Sequence, residues 1–232
     1  MNKILSQSTN LQILYEDNHL IVVNKRVGDL TQGDQTGDLP LPEHIKSYLK
    51  VKYNKPGQVF LGVVHRLDRP TSGVVVFAKT SKALARLNES FKSRETEKTY
   101  WAIVKKAAIP KTDTLTHYLI RHPKNNTSVA HENVVPNAKE AKLSYKVIQT
   151  FENYLGLEIN LFTGRHHQIR CQLKAINCSI KGDLKYGYPR SNPDGGIHLH
   201  ARKLKITHPV SSEILTFIAP VPDDALWRMM EN

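Results

Sequence analysis

Chemistry concentrates first around Asp68, in the polar stretch His65-Arg66-Leu67-Asp68-Arg69-Pro70-Thr71-Ser72-Gly73. The stretch lies between Leu61-Gly62-Val63-Val64 and Val74-Val75-Val76-Phe77-Ala78, two apolar runs that read as short buried strands. Polar groups on a loop between buried strands are held by a rigid scaffold, which suits a site. A single carboxylate there is open to nucleophilic attack or proton removal. The same residues also suit an ordinary turn, with Asp68 and Thr71 bonding local backbone and Gly73 supplying an unusual φ.

A second cluster is Thr163-Gly164-Arg165-His166-His167-Gln168-Ile169-Arg170, running into Cys171-Gln172-Leu173-Lys174-Ala175-Ile176. It reads as strand, glycine turn and helix, with Ile169, Leu173 and Ile176 on the core face and Arg170 beside that face, able to reach inward. His167 and Cys171 are four apart on this helix, but a structural metal site wants four ligands and Cys178 lies two turns away, so no metal is expected. A third candidate is Tyr100, in the strand Glu97 to Val104. Alternation sets Tyr100 with Lys98 and Ala102, opposite Trp101 and Ile103, which suits a cleft wall or cross-strand packing.

The chain has 232 residues with 40% hydrophobic content, enough for a real core. Lys+Arg 33 against Asp+Glu 21 gives a net charge of +12, which argues for a polyanionic partner. The 2 Cys exclude a disulfide framework and point to a reducing compartment. No signal-like N-terminus and no membrane-length apolar run stand out, so a cytoplasmic location is expected, and no membrane partner.

The elements that must position these residues follow from the same patterns. Residues 1–10 read as a flexible tail and 11–232 as one catalytic domain. Leu11 to Tyr15 and His19 to Asn24 read as a hairpin, with Leu20 to Val23 buried on both faces. Residues 29–39 read as an exposed loop. Pro42 to Lys52 and Ser81 to Arg94 read as amphipathic helices, the second capped by Thr80 or Ser81. Phe91 is assigned to the core. Residues 107–138, broken by Pro110, Pro123 and Pro136, are expected to hold only short strands at Thr114 to Ile120 and Ser128 to Val135. Ala141 to Gln149 and Tyr154 to Phe162 read as paired strands. Short strand connections and few helices predict an α+β fold, with a large mixed, mostly antiparallel sheet and flanking helices.

His-Arg-Leu-Asp followed by Thr-Ser-Gly resembles the active-site motif of the RluA-type pseudouridine synthases. Four further segments resemble that family in order: Lys98-Thr99-Tyr100, the Gly164 to Arg170 string, Gly182-Asp183-Leu184-Lys185-Tyr186-Gly187, and Leu199-His200-Ala201-Arg202 with Thr207-His208-Pro209. Five segments in register are far more specific than any one. One departure is Arg26, where the family usually has proline after Asn-Lys, so a less rigid loop is expected there.

The resemblance implies a pseudouridine synthase fold with a central basic catalytic cleft, isomerising uridines of tRNA and/or large-subunit rRNA without a cofactor. It implies Asp68 as the catalytic carboxylate, Arg170 as its ion-pair partner and Tyr100 as a platform for the flipped base. Arg66 would fill the space the base leaves, and His65, Arg69, Thr71, Arg165, His167 and Gln168 are expected at the RNA. No room is seen upstream for the S4-like RNA-binding module that many relatives carry, and a monomer is the default. One rival is a non-catalytic RNA-binding protein that retains the fold. Another is a nucleoside hydrolase, although that chemistry usually wants two carboxylates and the motif offers one.

Overall fold

The computed structural model describes residues 4–34 and 36–231. The elements in chain order are β1 (Ile13–Glu16), β2 (Leu20–Lys25), α1 (Leu41–Lys52), β3 (Gly62–Val63), β4 (Ser72–Ala78), α2 (Ser81–Lys92) and β5 (Glu97–Lys105). They continue with β6 (Thr112–His122), β7 (Thr127–His131), β8 (Lys139–Thr150), β9 (Tyr154–Leu161), α3 (Gln168–Ala175), β10 (Leu199–Thr207), β11 (Ile214–Ile218) and α4 (Ala225–Glu231). The class is α+β, and the strand pairs described below are antiparallel. The chain divides into two compact units, Met1–Thr96 with Ala201–Pro222, and Glu97–His200 with Asp223–Asn232.

In the first unit, β2 pairs with β4 from Leu20↔Ala78 to Lys25↔Gly73. Every residue of both strands is buried, as their unbroken apolar runs predict. Helix α2 closes one side by packing Ala83 and Leu87 against Leu20, Val22, Val74 and Val76. Thr80 caps that helix, its hydroxyl accepting the Ala83 N–H at 3.2 Å. Phe91 packs against this core, as assigned from its spacing. The pairing of Lys25 with Gly73 brings the end of β2 beside the loop that carries Asp68.

The expected loose tail is fastened from Ser6 onward; residues 1–3 lie outside the described residues. Ser6 is buried and donates its N–H and hydroxyl to the Asp29 carboxylate, at 2.9 and 2.6 Å. The same carboxylate accepts the Arg26 N–H at 3.1 Å. The segment expected to be exposed from residue 29 is buried at Asp29, Leu30 and Thr31 and opens only from Gln32.

In the second unit the strands run in the order β5-β9-β8-β6-β7. The short strand expected at Thr114 to Ile120 is the middle of β6, which runs longer, over 11 residues. Its inward positions are Leu115, His117 and Leu119, so a buried histidine interrupts the apolar alternation that marks a half-buried strand. Burial pushes the His117 pKa below its ordinary value. Pro123 sits in the 3-10 turn Pro123–Asn125 at the hairpin tip, where no ladder donor is needed. Gln172 of α3 ties the layers together, donating to the carbonyls of Leu115 at 3.3 Å and Ala141 at 3.2 Å. Helix α4 is set by Asp224, whose carboxylate accepts the Leu226 N–H at 2.9 Å and bonds His198 Nε2 at 3.1 Å. The His198 hydrogen bond holds the Asp224 carboxyl at about 2. No helix among the described residues is long and apolar enough to cross a membrane.

Candidate active site

The first unit carries His65, Arg66, Asp68, Arg69 and Thr71 on the β3–β4 connection. Its backbone is held carbonyl by carbonyl. Thr31 donates its hydroxyl to Leu67 O at 3.1 Å, Thr71 N–H bonds Asp68 O at 3.0 Å, and Gly28 N–H bonds Arg69 O at 2.8 Å. Lys25 completes the set: its ammonium donates to the carbonyls of Arg26 at 2.9 Å, Arg69 at 3.2 Å and Thr71 at 2.7 Å. The lysine is only 1% exposed. An ammonium has three donors, so three carbonyls satisfy it, and burial in low dielectric strengthens each bond. Asp68 itself is half-buried. Its loop is the turn the sequence allowed, closed by Thr71 N–H on Asp68 O, and the further hydrogen bonds brace it into a mount.

Gly73 ends the mount at φ +119. A Cβ there would stand 2.4 Å from Ala201 O, so both the backbone angle and the close approach require glycine.

The arginines differ. Arg66 is exposed and bonds Gln32. Arg69 is turned toward its own side loop, pairing with Asp38 and lying 3.8 Å from Asp34. His65 accepts the Val76 N–H on Nε2 at 3.1 Å and stacks on Phe91 with ring centroids 4.9 Å apart. These contacts make His65 a brace of the loop. Thr71 is buried, and its carbonyl serves Lys25, so its observed part is also in the mount.

The second unit carries Tyr100, Arg165, His167, Gln168 and Arg170. Tyr100 lies on β5 opposite Ile159 of β9, and 9% of it is exposed. Arg170 is buried on α3 and forks onto Asp183: Nε donates to Oδ2 at 2.7 Å and Nη2 to Oδ1 at 2.8 Å. Tyr186 lies against the same guanidinium, 4.9 Å from ring centroid to Cζ. The tyrosine hydroxyl accepts the Ser128 N–H at 2.8 Å and bonds His167 Nδ1 at 2.8 Å. Burial pushes its pKa up to about 12, so it stays neutral.

His167 occupies left-handed backbone at φ +52 just before α3 and stacks on His166 at 3.8 Å. Gln168, expected at the RNA, is buried; its Oε1 accepts from Thr163 Oγ1 at 2.8 Å and Arg165 N at 3.0 Å, and its Nε2 donates to Lys142 O at 3.1 Å. It shapes the turn into α3. Arg165 donates Nε to Glu140 O at 2.9 Å, which fixes its stem at the mouth of that turn.

Lys25, Asp183 and Tyr186 are site residues that sequence reasoning did not assign. Asp183 and Tyr186 stood inside a quoted motif without a role, and Lys25 stood in the run Lys25-Arg26-Val27-Gly28, compared with the family's Asn-Lys-Pro-x-Gly only for its missing proline. Burial pushes the Cys171 thiol up to about 12 and the Cys178 thiol to about 11. Neither is a thiolate nucleophile near neutral pH.

The first unit thus carries a half-buried carboxylate on a braced loop with an exposed arginine beside it, and the second carries a buried arginine with fixed fork geometry on α3. A family model described as RNA pseudouridylate synthase matches residues 19–175. The chain is 34% identical, over 94% of its length and 68% of the relative's, to an uncharacterized RNA pseudouridine synthase of Synechocystis. It is 34% identical to the ribosomal large subunit pseudouridine synthase D of Nitrosomonas europaea, over 98% of this chain and 67% of that one. In Bacillus subtilis, an uncharacterized RNA pseudouridine synthase is 32% identical over 99% of this chain and 75% of the relative. The solved structure of human RNA pseudouridylate synthase domain containing 4 shares the fold, with TM-score 0.78 at 24% identity, covering 94% of this chain and 91% of that one. The motifs around Asp68, Tyr100 and Arg170 and the extent of these matches together establish that the chain belongs to the RNA pseudouridylate synthase family.

Proposed function

We propose that the protein isomerises uridine to pseudouridine in large-subunit ribosomal RNA, with Asp68 as the catalytic carboxylate. The observation that carries the assignment is the mount: a buried lysine and three further hydrogen bonds fix residues 67–71 around that one side chain. Large-subunit RNA is favoured because relatives of similar identity bear that substrate in their names.

The reaction breaks the bond from ribose C1′ to uracil N1 and forms one from C1′ to C5. C5 loses a proton and N1 gains one, so atoms balance without a co-reactant. Asp68 acts at the sugar, either on C1′ or on the C2′ proton. Arg170, whose Nε and Nη2 are held by Asp183, is assigned as the ion-pair partner that orients the Asp68 carboxylate. Tyr100 supplies the stacking face for the flipped base, worth roughly 1–3 kcal/mol. Arg66, exposed on the loop, takes the place of the base in the stack.

Pseudouridine mapping of total RNA from a strain lacking the gene tests the reading. One or a few large-subunit sites are expected to vanish and to return with the wild-type gene but not with Asp68→Asn. Loss of a tRNA site instead would correct the substrate, and an unchanged map from an expressed gene would remove the function.

A further inference from the structure

The second unit presents a basic face that the proposed chemistry does not use. No carboxylate occurs in the sequence between Asp113 and Glu132. Between Glu158 and Asp194 the one carboxylate is Asp183, which is buried and committed to Arg170. The same two stretches carry Arg121, Lys124, Lys174, Lys185 and Arg190, all exposed.

The fold gathers several of these residues. Lys124 stands in the turn at the tip of the β6–β7 hairpin, closed by Asn126 at φ +47, and Arg121 lies just before it on β6 opposite Ser128. Asn126 is the clasp. Its Oδ1 bonds His166 Nε2 at 3.1 Å, and its carbonyl accepts Lys185 Nζ at 3.3 Å. Ser128, two residues on, bonds His166 Nδ1 at 2.9 Å and Tyr186 Oη through its N–H at 2.8 Å. The tip is therefore tied to the turn before α3 and to the segment that holds Arg170. Between hairpin, helix and segment lies a cavity of about 260 Å³, with Cys171, Ala130 and Tyr186 in its lining and Lys174 and Lys185 beside them.

We infer that this face binds the RNA backbone outside the target nucleotide, with Lys124, Lys174 and Lys185 contacting phosphates. The inference rests on the synthase reading and extends it to how the substrate strand is held. Three exposed cations with no exposed carboxylate from the flanking stretches favour a polyanion over a protein surface of mixed charge. The tie through Asn126, His166 and Tyr186 places the face on the same rigid assembly as Arg170.

The test uses the full chain, unmodified large-subunit RNA transcript as probe, and binding measured over a series of KCl concentrations. The triple variant K124A/K174A/K185A is compared with K50A/K82A/K92A, which removes equal charge from exposed helix positions of the first unit. The first variant is expected to bind about tenfold more weakly and to flatten the slope of log affinity against log salt by about two, at roughly 0.7 per phosphate contact on single strands. Its KM rises while kcat holds. Equal affinity and slope in wild type and first variant, or an equal loss in the control, overturns the inference. If the triple variant melts early, K174Q/K185Q is read in its place against the same criteria. Wild type that forms no pseudouridine but shows the face-dependent slope overturns the synthase reading alone. Wild type that forms it with no face-dependent slope overturns this inference alone.

Discussion

At the scale of the residue, the decisive contrast is between the two arginines of the motifs. Arg66 is exposed and bonds Gln32, which suits the movement into an RNA stack proposed for it. Arg170 is 5% exposed and locked by Asp183, so its orientation is set before substrate arrives. Arg170→Lys keeps the charge but cannot reproduce the fork onto Asp183, and is expected to lose most of the turnover while remaining folded at lower stability; near-wild-type turnover in that variant would contradict the role given to it. Asp183→Asn removes the charge that accepts both arms of the Arg170 fork. That variant should lose about 3–5 kcal/mol of stability, read from denaturant melts, because breaking a buried ion pair is costly. Asp183 was visible in the sequence as a letter of a motif. Its pairing with Arg170 was not, because twelve intervening residues of helix and turn separate the two and no spacing rule spans them.

At the scale of the element, the site depends on one register. Pairing Lys25 with Gly73 delivers the ammonium to the loop, and a slip of one residue would turn that side chain to the other face of the sheet. Lys25→Met fits the same space but leaves the carbonyls of Arg26, Arg69 and Thr71 without their charged donor. The expected cost is about 2–4 kcal/mol of stability, with kcat falling more than KM rises. A variant as stable and active as wild type would show the mount to be dispensable. The strands β2 and β4 were legible because continuous apolar runs mark burial on both faces. Strand β6 was legible only over Thr114 to Ile120, since His117 sits where an apolar residue would have completed the alternation, and helix α4 is too short for a helical period to show. The buried stretch at 29–31 was disguised by its polar letters; Asp29 is inside because Ser6 and Arg26 supply it with donors.

At the scale of the whole molecule, charge governs both binding and acid tolerance. The composition already pointed to a polyanion, and the distribution of the carboxylates, not their number, leaves one stretch of surface basic. Glu16 shows the opposite use of charge. Burial pushes its pKa up, but hydrogen bonds from Lys52, Lys79 and Tyr53 outweigh that and hold it at about 2. A carboxyl depressed in the folded state stabilises the fold above its unfolded pKa near 4.5, and that contribution is lost as pH falls toward about 2. Glu16→Gln is therefore expected to lower stability at neutral pH and to flatten the fall between pH 4.5 and 2, measured by thermal melts across that window. Parallel curves for variant and wild type would remove Glu16 from the acid response.

The central claim is that one carboxylate, Asp68, performs the isomerisation. Its most direct test is pseudouridine formation on RNA transcript by purified wild type and by Asp68→Asn, with RNA affinity measured on the same samples. Wild type is expected to convert uridine without releasing free uracil. Asp68→Asn should bind the RNA with affinity within a few-fold of wild type and form no detectable pseudouridine. Turnover by Asp68→Asn within tenfold of wild type would contradict the account.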